Sequence, residues 1–177
     1  MKSQFQFPFK KVLIAFILLF HFTVGYSQSL FFMGDKSYPS TGKFSFNSDS
    51  YFTKVEFLIA KGNGKGYIAI SRNNSSSLRI EGKLIIYLDD GTVITCIDRK
   101  KYDHVNGIAT TVYHLTNEEL NKMQRSNINS IRYSVKCTTC ISSTAEGNYA
   151  EANKSSGSGY REQARVNVPS LIWALYN

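Results

Sequence analysis

Apolar residues recur at every second position through much of the chain, which is the period of strands with one buried face. In "KVEFLIAK", Val55, Phe57 and Ile59 alternate with Lys54, Glu56 and Leu58, and "YIAIS" resumes the alternation after "GNGKG". A glycine-rich loop that cradles phosphate opens directly into a helix. A strand follows Gly66 instead, so Gly62 to Gly66 is expected to be a hairpin turn.

The clearest alternation runs through "LRIEGKLIIYLDDGTVITCIDRK", where Leu78, Ile80, Leu84, Ile86 and Leu88 take one face. Asp90-Gly91 favours a two-residue hairpin loop, because a type I′ turn needs positive φ at both central residues. Such a loop predicts that Leu88 opposes Val93, Leu84 opposes Ile97, Lys83 opposes Asp98 and Glu81 opposes Lys100. That register places Ile85, Tyr87, Ile94 and Cys96 together on the second face, and Ile85, Tyr87 and Ile94 form a candidate interaction face there.

"IATTVYHL", Ile108 to Leu115, reads as a further strand. Thr116 with Glu119 three residues on is a capping box, and Leu115 and Leu120 are spaced for a hydrophobic staple around it. The short helix carries Leu120 and Met123 as its apolar stripe. In "INSIRYSVKC", Ile131, Tyr133, Val135 and Cys137 share a face. Residues 141–159 are small and polar and are expected to form a mobile loop. Pro169 then suits the first turn of a short helix in which Leu171, Ile172, Leu175 and Tyr176 dock on the sheet, with Trp173 at the margin. Residues 30–50 read as a Phe-, Ser- and Gly-rich lead-in. The expected fold is α+β: an antiparallel sheet or sandwich of about seven strands with two short helices.

The N-terminus changes the setting. Lys2, Lys10 and Lys11 precede an apolar run from Val12 to about Val24, and Gly25 and Ser27 follow. This is the layout of a secretory signal peptide over residues 1–27, and the run falls short of the ~20 residues a membrane helix needs. The remainder, 28–177, is expected to be a single domain with no transmembrane segment. The leader carries three of the 21 basic and none of the 13 acidic residues, so its loss lowers the net charge from +8 to +5. The remaining charges are scattered; Arg99, Lys100 and Lys101 form the one cluster, bracketed by Asp98 and Asp103. No aromatic ladder accompanies it, so nucleic acid is not an expected partner. Anionic envelope lipid or polysaccharide is compatible with the balance.

The succession "LDDGTVI", "YHLTNEELNKM" and "INSIRYSV", together with a leader ending in Ser-Gln, resembles small exported β-rich proteins of Bacteroidota-type bacteria. The likeness covers about half the chain and its motifs are structural. It implies an envelope location, periplasmic or extracellular, and transfers no functional residues.

Candidate chemistry centres on "SVKCTTC". Cys137 and Cys140 suit a local disulfide in an oxidising compartment, provided the chain turns at Thr138-Thr139. A bridge from either to Cys96, free thiols, and a redox or metal role are the alternatives. A thioredoxin-like centre requires a helix behind the first cysteine, and a zinc ribbon a second ligand pair; neither pattern is present. His104 beside Asp103 and the strand residue His114 have no nucleophile signature nearby. Asp89-Asp90 and Glu118-Glu119 fit a turn and a helix start. Asn73 and Asn153 open glycosylation-type triplets, which read as exposed loops. No cofactor or metal site is expected. The favoured reading is a non-catalytic binding or structural protein of the envelope, with an unknown protein, glycan or envelope component as partner and self-association possible in principle. The alternative is a hydrolase or thiol-based redox protein with a nonstandard site at Cys137 and Cys140.

Overall fold

The computed structural model describes residues 29–46, 55–73, 77–140, 145–154 and 164–176. The leader expected over residues 1–27 lies outside them. Among the described residues the chain forms β1 (Ser29–Met33), β2 (Lys36–Ser40), β3 (Val55–Gly62), β4 (Lys65–Asn73), β5 (Leu78–Ile80), β6 (Leu84–Leu88), β7 (Val93–Cys96), β8 (Tyr102–Val105), β9 (Ile108–Leu115), α1 (Asn117–Arg125), β10 (Ile128–Cys137), β11 (Gly147–Ala152) and α2 (Val168–Tyr176). The fold is α+β and antiparallel as expected, with eleven strands rather than about seven.

The strands make two sheets. The first has the order β1-β2-β3-β4-β9-β8 and the second β11-β10-β6-β7, with β5 also paired to β10. Phe57, Ile59, Ile68, Ile70, Tyr113 and Leu115 of the first sheet share one buried cluster with Ile80, Leu84, Ile86, Ile131, Tyr133 and Val135 of the second. The molecule is therefore a sandwich whose core is supplied by the inward parity of each strand. The helices close one end. Leu120 and Met123 of α1 and Ile172 and Leu175 of α2 join the same core. Gly66, opposite Leu120, has no room for a side chain: a Cβ there would stand 2.7 Å from the leucine Cδ1. The capping box is complete, with the Thr116 hydroxyl accepting from the Glu119 N–H and the Glu119 carboxylate accepting from the Thr116 N–H.

β3 is buried on both faces. Leu58 and Ala60 join Tyr67, Ala69 and Val112 in a second, smaller cluster on the outer side of the first sheet, and Phe31, Met33 and Tyr38 pack onto it. The lead-in is thus not irregular: β1 and β2 form a hairpin, attached to β3 through the Ser40–Ala60 pair and folded over that outer face.

The β6–β7 hairpin corrects the expected register. Leu84 opposes Cys96, Ile86 opposes Ile94 and Tyr87 opposes Val93. The loop has three residues, Asp89 to Gly91, since the Leu88 N–H donates to the Thr92 carbonyl. Gly91 holds φ 84, the left-handed position that ends such loops. One residue of slip exchanges the faces of a strand. Ile94 and Cys96 are accordingly 3% and 2% exposed, whereas Val93 and Ile97 are 53% and 67% exposed. Lys83–Asp98 and Glu81–Lys100 are not strand partners: the Asp98 carboxylate accepts from the Gly82 and Lys100 N–H groups and the Tyr102 hydroxyl, and Glu81 pairs with Arg79.

The long alternation from Leu78 to Leu88 is broken at Gly82, which has φ 91. Residues of β5 and β10 pair with numbers two lower in sum than those of β6 and β10, as in Val135–Ile80 against Ile131–Ile86. A two-residue offset preserves side-chain parity, so Leu78, Ile80, Leu84, Ile86 and Leu88 are all buried despite the break.

β11 occupies residues expected to be a mobile loop. Its inward positions are Tyr149 and Glu151, and its outward ones Asn148 and Ala150; that mixture hides the period of two.

Candidate functional site

β10 lies between β6 and β11, so its outward residues form the centre of a broad face. Arg132 is opposite Ile85 on one side and Ala150 on the other, and Ser134 is opposite Asn148. With Lys83 these residues line a shallow concavity of about 400 Å3, bordered by Tyr133 and Tyr149. The Arg132 guanidinium sits over the Tyr87 ring, 5.9 Å from its centroid. The Ser134 hydroxyl donates to the Asn148 side-chain oxygen at 2.6 Å, which leaves the amide's N–H groups as donors. Two cations, an amide and a tyrosine face thus converge on an outer surface. Ile85 and Tyr87 take the outward parity of β6, whereas Ile94, placed with them by the sequence reading, points into the core. Arg132, Ser134 and Asn148 were missed. The first two occupy the polar alternate positions of "SIRYSV", and that parity was the signal available.

The cysteines are also placed. Cys137 and Cys140 lie at disulfide distance, with Cα atoms 5.7 Å apart across a turn. The Glu146 carboxylate accepts from the Cys137 N–H at 2.5 Å. Cys96 is far from being a partner, since it is buried in the core as a free thiol whose pKa burial pushes up to about 12. The alternative bridge to Cys96 is thereby corrected: the one-residue register shift turned this side chain inward.

The histidines do not converge with the cysteines. His114 faces outward on β9, its ring edge-on to Tyr67 at 5.0 Å, and burial together with Arg99, Lys65 and Lys101 lowers its pKa. His104 and Asp103 border a cleft of about 230 Å3 with Arg79, Tyr102 and Thr138. The polar groups beside them are already engaged. Arg79 pairs with Glu81 at 2.8 Å and stacks on Tyr102 at 4.2 Å, and the Tyr102 hydroxyl donates to Asp98 at 2.5 Å. Asp103 accepts from the backbone N–H of His104. Among the described residues no three His, Cys, Asp or Glu side chains gather as a metal site requires.

One polar cluster is internal. Arg72 is 4% exposed, lies 4.4 Å from the centroid of the Tyr149 ring, and has Nε and Nη1 without hydrogen-bond partners. Glu151 is also buried; burial raises its pKa, against smaller opposing effects of Tyr133 and Arg72. Tyr133 donates to Glu151 at a long 3.4 Å.

Asn153, expected in an exposed loop, is instead 4% exposed. Its amide nitrogen donates to the Ile128 and Val166 carbonyls and its oxygen accepts from the Val166 N–H. Together with Asn127 and Arg165 it fixes the segment leading into α2. No described helix is long and apolar enough to cross a membrane. Comparison of the chain with protein-family models, with curated proteins and with solved structures finds no match.

Proposed function

We propose that this chain is an exported, non-catalytic binding protein of the bacterial envelope, and that the outer face of the second sheet takes an acidic polysaccharide. The carrying observation is the concavity with Lys83, Arg132, Ser134 and Asn148 around Ile85. A polyanionic glycan offers carboxylates to the two cations, hydroxyls to the amide, and sugar rings to the apolar patch. An open, shallow site suits a chain that runs across it rather than a small molecule enclosed by it. The signal-peptide pattern and the resemblance to exported β-rich proteins support the location. In that oxidising setting the Cys137–Cys140 pair forms a local disulfide. It contributes little to global stability, because the loop it closes is minimal, and its role is to hold the turn after β10. Mass spectrometry of unreduced peptides tests the pairing: the fragment spanning both residues should be two mass units lighter than its reduced form.

Isothermal titration with polygalacturonate tests the binding reading. Saturable binding that weakens with salt is expected, and the Lys83→Ala/Arg132→Ala pair of changes should lower affinity at least tenfold without altering the melting temperature. Equal affinity for a neutral glucan, or an unaffected double variant, would remove this reading.

A further inference from the structure

The opposite side of the sandwich holds a second concavity. The β1–β2 hairpin arches over the outer face of the first sheet, and its tip meets the segment between β7 and β8. Between them lies a cleft of about 470 Å3, bordered by Phe31, Met33 and Val112 on one side and by Lys100, Lys101 and Asp103 on the other. Val112 is 6% exposed and belongs to the cluster beneath the hairpin, so the floor is recessed rather than a flat patch. The rim is built. Lys100 adopts φ 56, unusual for a side-chain-bearing residue, and its N–H is held by Asp98 at 2.7 Å. The adjoining surface is positive as well, since Arg99, Lys65 and Lys101 all act on His114.

We infer that this cleft binds a single-chain aliphatic carboxylate, with the chain against Phe31, Met33 and Val112 and the head group at Lys100 and Lys101. Three features select this occupant. The volume falls within the range of small-ligand clefts, about 300 to 1,000 Å3. Phe31 and Met33 come from the hairpin and Lys100 and Lys101 from the segment after β7, so an amphiphile meets apolar and charged groups from different elements. Two lysines and one aspartate leave one net positive charge at the rim, which matches a monoanion. This site shares no residue with the polysaccharide face and does not depend on it.

Titration of the purified chain with dodecanoate, kept below its micelle concentration, tests the inference. One molecule per chain is expected to bind. Lys100→Ala/Lys101→Ala should weaken it tenfold or more with an unchanged melting temperature, both positions being exposed. The Lys83→Ala/Arg132→Ala variant should bind dodecanoate as the parent does, which keeps failure of one site distinguishable from failure of the other. A neutral amphiphile with the same chain, dodecyl maltoside, should bind at least tenfold more weakly. No binding, equal binding of the neutral amphiphile, or full affinity in the Lys100/Lys101 variant would each overturn it.

Discussion

Glu151 is a carboxyl whose burial outweighs the help it receives, so its folded pKa lies above its unfolded one. The stability it contributes is complete below the unfolded carboxyl pKa and is lost as pH rises through the folded value. Asp89 behaves oppositely: the hydrogen bond from Arg165 lowers its pKa, and its contribution is present above the unfolded pKa and lost as pH falls through the folded one. Denaturant unfolding of Glu151→Gln should therefore show an advantage over the parent chain that widens between pH 4 and pH 8; a constant difference would contradict the assignment. Asn153 makes a sharper case, because three hydrogen bonds converge on one buried amide. Asn153→Ala leaves the Val166 N–H unmatched, while the Ile128 and Val166 carbonyls keep Arg165 and Asn127 as donors; the unmatched donor costs about 1–3 kcal/mol, and the urea midpoint should fall. Neither residue was legible in the sequence. A buried amide or carboxyl looks like a loop residue until its partners, distant along the chain, are known.

Elements were legible where one local signal sufficed. The Thr116 capping box, the turn after Gly62 and the inward parity of Ile131, Tyr133 and Val135 all appear as read. The β6–β7 register did not, because "LDDGTV" admits both a two-residue and a three-residue loop. Two features outside the hairpin support the longer one: the Asp89 N–H donates to the Asn127 carbonyl and the Asp90 N–H to the Ser126 hydroxyl, both at the end of α1. The apparent charge pairing of Lys83 with Asp98 was a coincidence of numbering. Gly91→Ala tests the loop, since a side chain at φ 84 costs about 1–2 kcal/mol. The variant should lose that much by chemical denaturation. No loss would mean that Gly91 is not held in the left-handed region.

The whole molecule divides its work by surface. The interior takes the inward parity of both sheets, the helices seal one end, and the two outer faces carry the polar chemistry on opposite sides. The antiparallel architecture was readable because period-two alternation survives even the break at Gly82. The candidate sites were not, because each depends on which strands become neighbours: Arg132 meets Lys83 and Asn148 only through the order β6-β10-β11, and Lys101 meets Phe31 only through the folded-over hairpin.

The most direct measurement is a backbone amide NMR titration with polygalacturonate. The largest shifts are expected at Lys83, Ile85, Arg132, Ser134 and Asn148, with Phe31, Lys101 and Val112 unmoved. Shifts confined to the hairpin side, or none at saturating polymer, would contradict the assignment of the second sheet's outer face as the binding surface.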